Sequence, residues 1–120
     1  MGTTARTALA LALWLAPLPA GAASPEVMLQ GVRFVPADIT VTVGDTVTWV
    51  HHDSGLYHHV GADDRSWDSS PTCGLPRGAC MRGGDTYQHA FLSTGTFGYH
   101  CRLHGDPGNG MAGTVRVIPR

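Results

Sequence analysis

The chain of 120 residues contains no lysine, a single glutamate and only three cysteines. Without lysine it can have neither a Schiff-base lysine nor the lysine of a phosphate-binding loop. Its basic residues are eight arginines against nine acidic residues, which gives a formal net charge of −1. Because there is no basic excess to neutralise phosphates, we expect no nucleic-acid partner and no anionic membrane partner. A chain this short forms one domain at most.

Long hydrophobic stretches are confined to the N-terminus. Residues 1–23 combine one arginine, an apolar run over 8–16 and small residues around Ala22 and Ala23, which are the features of a secretory signal peptide. The run is too short to span a bilayer as a helix, and the prolines that follow would end a core helix. We therefore expect an exported protein, periplasmic or extracellular, with no membrane span and with a mature domain over 24–120.

The mature domain is poor in helix formers and rich in β-branched residues. It holds ten valines and nine threonines against five leucines and five alanines, together with 14 glycines. Apolar and polar residues alternate in short segments, which are Met28–Phe34, Ile39–Val43, Val47–Trp49, Leu56–Val60, Tyr87–Phe91, Phe97–Cys101 and Val115–Val117. This period of two predicts an all-β fold of antiparallel sheets packed face to face. We expect a sandwich of about seven or eight strands.

The alternation also predicts where individual side chains point. One face of the first strand is expected to carry Met28, Gln30, Val32 and Phe34. Cys101 continues the inward alternation of Phe97 and Tyr99, so its thiol is expected to point into one end of the sandwich. His58 shares its face with Leu56 and Val60, and we expect it to point into the same apolar region.

The segment that ends at Met111 holds the residues with the clearest chemistry. Cys101 and His104 are two residues apart at a predicted strand end, and a glycine- and proline-rich loop follows. A thiolate and an imidazole so close together form a chelate pair, to which the Met111 thioether adds a soft, weak donor. A third strong ligand must come from elsewhere; alternation favours His58, although a β-bulge would bring in His59 instead. Two histidines, one cysteine and a distant methionine are the ligand set of blue-copper electron-transfer sites.

A zinc site is the alternative for these residues. Zinc accepts cysteine and histidine but has little use for a thioether, and a closed structural site would need a fourth cysteine or histidine. Met111 therefore favours copper over zinc.

The other histidines are given no ligand role. His51 and His52 lie at a predicted strand end and are expected to be exposed. His89 shares a face with apolar residues and is expected to pack in the core, whereas His100 has outward parity and is expected on the solvent face.

Several segments, taken in order, resemble the cupredoxins of the plastocyanin/pseudoazurin type. They are Phe34-Val35-Pro36, Ile39-Thr40-Val41, Val43-Gly44-Asp45-Thr46-Val47-Thr48-Trp49, His58-His59-Val60, Gly95-Thr96-Phe97-Gly98-Tyr99-His100-Cys101 and Met111-Ala112-Gly113-Thr114-Val115. The resemblance covers nearly all of the mature chain. It implies a Greek-key β-sandwich that holds one type 1 copper and exchanges single electrons with redox partner proteins. By position, its copper ligands would be His58, Cys101, His104 and Met111.

The chain departs from this family in two places. The gap between His104 and Met111 is longer than in plastocyanin or pseudoazurin, but the cost of closing a loop rises only slowly with length, so ligation is expected to survive. The irregular stretch 61–84 carries Cys73 and Cys80, which plastocyanin lacks. Because paired cysteines of exported domains are usually oxidised, we expect a disulfide there.

A second function is compatible with the same fold, namely storage, delivery or resistance-related binding of copper without a redox circuit. The complete set of four ligands favours electron transfer, because storage proteins usually offer more methionines or histidines and open sites. The same set argues against a metal-free sandwich that has lost its function. We expect a monomeric electron carrier that is not an enzyme.

Overall fold

The computed structural model describes residues 2, 4 and 24–120. The predicted signal peptide therefore lies outside the described residues, apart from Gly2 and Thr4. The strands are β1 (Glu26–Leu29), β2 (Phe34–Val35), β3 (Asp38–Thr42), β4 (Thr46–His51), β5 (Gly61–Ala62), β6 (Thr86–Ala90), β7 (Gly95–Asp106) and β8 (Asn109–Ile118). Across this described part of the chain there is no helix, and so none with the length and hydrophobicity to cross a bilayer.

The eight strands form two four-stranded sheets, with the orders β2-β1-β4-β6 and β3-β8-β7-β5. The predicted all-β sandwich is thereby confirmed. Each sheet also contains one parallel pair, β1 with β4 and β3 with β8. Alternation could not reveal these pairs, because a strand with one buried face shows the same period beside a parallel or an antiparallel neighbour.

The first strand differs from its prediction. β1 ends at Leu29, and a turn through Gly31 and Val32, with φ of 66° and 56°, leads into β2. Val27 and Leu29 are the buried residues of β1, and of the four residues predicted to share a face only Phe34 is buried. That prediction is wrong because the turn divides the segment, so the period of two does not continue across it.

An aromatic core joins the two sheets. Trp49 of β4 is fully buried, and its ring centroid lies 5.3 Å from that of Tyr99 on β7 and 5.4 Å from that of Trp67. Aromatic pairs at such distances each stabilise a core by roughly 0.5–1.5 kcal/mol beyond the area that they bury. The core therefore fixes β4 against β7, the strand that carries Cys101.

β7 and β8 form a long hairpin with one irregularity. Their pairing is regular up to His100 and resumes at Gly105, which leaves 101–104 as an irregular segment. The loop predicted between His104 and Met111 is therefore largely strand, and Met111 is the third residue of β8. Glycine and proline spacing suggested a loop, but most of these residues pair across the hairpin.

Candidate metal centre

Three of the predicted ligands converge at one end of the sandwich. The donor atoms of His58, Cys101 and His104 all lie within 4.8 Å of one another. His104 Nδ1 is 3.3 Å from His58 Nδ1 and 3.7 Å from Cys101 Sγ. His58 and Cys101 are fully buried, whereas His104 is exposed. Among the described residues, this is the one group of three or more histidine, cysteine or acidic side chains arranged to hold a metal ion.

Each donor is positioned by a different local structure. Cys101 follows Tyr99 in the inward alternation of β7. His58 lies outside the named strands but exchanges two backbone hydrogen bonds with Met81, of 3.0 and 2.8 Å. His104 belongs to the irregular segment of β7, where the break in pairing turns its side chain toward the same end of the sandwich.

Met111 is buried on β8, the strand that pairs with the one carrying Cys101 and His104. It is 2% exposed and lies between the β8 residues that pair with His100 and Gly105. Its backbone therefore faces the irregular segment that carries Cys101 and His104. Two imidazoles, one thiol and a thioether suit copper, while a closed zinc site would need a fourth strong ligand that the described residues do not provide.

The hydrogen bonds of His58 decide which ring nitrogen is free. The Asp53 carboxylate can only accept, so His58 Nε2 donates to Asp53 Oδ2 at 2.7 Å. Burial lowers the pKa of His58 despite this partner, and the ring is neutral at physiological pH. Its lone pair is therefore on Nδ1, the atom that faces His104.

His59 is as buried as His58, but both of its ring nitrogens are engaged elsewhere. Its Nδ1 accepts the backbone N–H of Arg102 at 3.2 Å, and its Nε2 donates to Asp68 Oδ1 at 2.9 Å. Burial lowers the pKa of His59 and favours the neutral ring. A neutral His59 with these partners has no free lone pair, so the geometry favours His58 as the ligand.

Arg102 connects this region to the disulfide loop. Its guanidinium donates to Asp68 Oδ2 at 2.6 Å and to the carbonyl oxygens of Pro71 and Cys73 at 3.2 and 3.1 Å. Cys73 forms a disulfide with Cys80, as the sequence predicts. These hydrogen bonds therefore fix Arg102, the residue that follows the buried free thiol of Cys101.

That free thiol, Cys101, is enclosed by protein atoms. Burial raises its pKa, although backbone N–H groups of Leu103, His59 and His104 act in the opposite direction. Without a cation the thiol is protonated at neutral pH, and a metal ion would displace the proton on binding.

Comparison with known proteins identifies the family. Residues 23–118 match the family described as copper binding proteins, plastocyanin/azurin family. The chain belongs to this family. Plastocyanin from Scenedesmus fuscus is 34% identical over 86 residues, which are 70% of this chain and 85% of that protein. Plastocyanin from Capsella bursa-pastoris is 29% identical over 100 residues, which are 77% of this chain and 98% of that protein.

Solved structures of amicyanin variants share the fold of this cupredoxin. The Cu(I) form of one variant has a TM-score of 0.58 and 26% identity, covering 79% of this chain and 82% of that chain. The reduced state of another has a TM-score of 0.58 and 28% identity, covering 86% of this chain and 88% of that chain. The cupredoxin resemblance seen in the sequence is thereby confirmed.

Two residues beside His58 in this cupredoxin were missed by sequence reasoning. His51, predicted to be exposed, is 1% exposed, and its ring centroid lies 4.6 Å from that of His58. That prediction is wrong because His51 continues the inward alternation of Val47 and Trp49 along β4, a signal that the sequence contains. Asp53 follows β4 in a loop, and no periodic signal indicates that it meets His58.

The other histidines lie away from the metal centre. His52 is exposed. His89 is partly buried and stacks on Trp67, with ring centroids 4.9 Å apart. His100 is only partly exposed, because its Nδ1 lies 2.7 Å from Asp63 Oδ1.

Proposed function

We propose that this cupredoxin binds one type 1 copper ion and carries single electrons between redox partner proteins. The observation that carries the proposal is the convergence of the His58 Nδ1 lone pair, Cys101 Sγ and His104 Nδ1, with buried Met111 on the opposite strand. Bound copper would supply the one-electron couple between Cu(II) and Cu(I).

The chain's own residues hold these donors in one arrangement. His58 is fixed by its backbone bonds to Met81 and its ring bond to Asp53, and Cys101 is fixed by β7 and the core. A site whose donors cannot move far changes little between two oxidation states, so the reorganisation that accompanies electron transfer is small. This rigidity supports electron transfer over the exchange of copper with other molecules.

His104 is the ligand through which electrons would enter and leave, because it is exposed while His58 and Cys101 are buried. Next to it Leu103 is 40% exposed, and together with Tyr57 and Leu75 it lines a groove of about 480 Å³. Exposed apolar side chains grouped in this way mark an interaction surface. We propose that redox partners dock here.

The proposal places the mature chain outside the cytosol. The signal-peptide pattern of residues 1–23 and the disulfide between Cys73 and Cys80 support export, since such bonds persist in oxidising compartments.

Voltammetry of the copper-loaded protein tests this function. We expect a reversible one-electron wave that persists over repeated cycles with copper retained. A site that releases copper on each reduction would contradict the proposal and would favour storage or delivery. Cys101→Ser, which removes the thiolate, is the control and is expected to show no such wave.

A further inference from the structure

One carboxylate beside the metal centre is unusually constrained. Asp53 is only 12% exposed, and both of its oxygens accept hydrogen bonds. Oδ1 accepts the backbone N–H of Gly31 at 2.7 Å, while Oδ2 accepts the N–H of Val32 at 3.2 Å and the Nε2–H of His58 at 2.7 Å. Three donors therefore hold the Asp53 carboxylate in one orientation.

The two backbone donors come from a strained turn. Gly31 and Val32 both have positive φ, a combination that directs consecutive N–H groups to one side and suits an anion. Glycine adopts this conformation readily, but a β-branched valine does so at a cost. The backbone N–H of Gln30 donates to the Arg33 carbonyl oxygen at 3.0 Å and closes this two-residue turn between β1 and β2, whose geometry requires positive φ at both central residues. The turn therefore presents its two N–H groups to Asp53 in a fixed arrangement.

The backbone of Asp53 is held as well. Its N–H donates to His51 Nδ1 at 3.2 Å, which leaves His51 Nε2 to donate to the Leu56 carbonyl oxygen at 3.0 Å. The His51 ring in turn lies against that of His58. Asp53 and His51 therefore restrain the His58 ring by a hydrogen bond at its edge and by packing against its face.

We propose that Asp53 is a positioning residue of this metal centre, held for that role by the turn at Gly31 and Val32. The carboxylate keeps the proton of His58 on Nε2, fixes the orientation of the ring and makes Nδ1 a stronger donor. Without Asp53 the proton can move to Nδ1 and the ring can rotate, and either change removes the lone pair from the site. This inference rests on the proposed function of the same site.

The first experiment uses the metal-free protein, so it is independent of copper binding. Ring nitrogen shifts from ¹⁵N NMR report which nitrogen of His58 carries the proton. We expect a single Nε2–H form in the unmodified protein and a mixture that includes Nδ1–H in Asp53→Ala. The matched control is Asp64→Asn, because Asp64 bonds only to Ser66 in the described structure and should leave His58 unchanged.

The second experiment measures copper directly. In competition with a chelator, Asp53→Ala is expected to bind Cu(II) about 10- to 100-fold more weakly, as is typical when the partner of a ligating histidine is removed. Asp53→Asn keeps the shape without the charge and should raise the reduction potential, because a less basic Nδ1 stabilises Cu(II) less. The Asp64→Asn control should change neither quantity.

A folded Asp53 variant with an unchanged His58 proton position and unchanged copper affinity would overturn the inference. If Asp53→Ala does not fold, Asp53→Asn supplies both measurements. If the unmodified protein binds no copper, the proposed function fails, while the NMR result still decides whether Asp53 sets the proton position of His58.

Discussion

His58 and His59 are adjacent in sequence and equally buried, yet their rings have different roles. The difference comes from their hydrogen bonds, because Asp53 leaves one nitrogen of His58 free while Arg102 and Asp68 engage both nitrogens of His59. Alternation alone favours His58 over His59 as the ligand. It cannot exclude a β-bulge that would bring His59 into the site instead. At the scale of the residue, the proposed choice of ligand therefore rests on partners that are distant in sequence.

Substitution of the two histidines separates these roles. His58→Ala should weaken Cu(II) binding more than 100-fold, because a strong donor is lost. His59→Ala should retain copper but lower the free energy of unfolding by about 1–3 kcal/mol, because it leaves buried polar groups without partners. Chelator competition and urea denaturation of both variants check this, and the opposite ranking of their copper affinities would contradict the assignment.

The strands differ in how far the sequence predicts them. β3, β4, β6, β7 and β8 could be predicted at least in part, because the more deeply buried residues of each alternate with less buried ones. β1 could not, since the turn at Gly31 and Val32 resets that period.

The candidate metal centre likewise contains residues that the sequence predicts and residues that it does not. Cys101, His104 and Met111 could be proposed together because a single hairpin carries them. The contact between Asp53 and the turn joins residues 21 and 22 positions apart, and no local pattern records it.

The hairpin of β7 and β8 sets the spacing of the donors, and its two strands approach closely at Gly105. A Cβ at this position would lie 2.5 Å from the Met111 nitrogen and 2.6 Å from the Asn109 oxygen, both backbone atoms. We expect Gly105→Ala to force the strands apart, lower the free energy of unfolding by about 1–3 kcal/mol and alter the visible spectrum of the copper form.

Gly108→Ala is the matched control in the same hairpin. A Cβ there meets nothing within 4 Å, although the positive φ of 69° costs about 1 kcal/mol for alanine. Its copper spectrum should match that of the unmodified protein. Altered spectra in both variants, or in neither, would show that the close approach at Gly105 does not set the site.

At the scale of the whole molecule, the metal centre lies at the end of a sandwich whose core does not depend on it. Trp49, Trp67 and Tyr99 join the sheets through their own packing. The donors are oriented by hydrogen bonds within the protein, so the fold should form before the metal arrives.

Removal of copper tests whether the fold forms without the metal. The metal-free protein should keep its far- and near-ultraviolet circular dichroism and unfold cooperatively. Free copper at 1,000 times the dissociation constant should then stabilise it by about 4 kcal/mol through binding to the folded state alone. An unfolded metal-free chain, as in small domains that fold only around a metal, would contradict this view of the core.

The most direct test of the central claim is the visible spectrum of the purified metal-free protein during addition of Cu(II). The proposed ligands predict an intense blue thiolate-to-copper band that saturates at one copper per chain and is absent in Cys101→Ser. A colourless complex, or a band that persists in Cys101→Ser, would contradict a copper centre built on this cysteine.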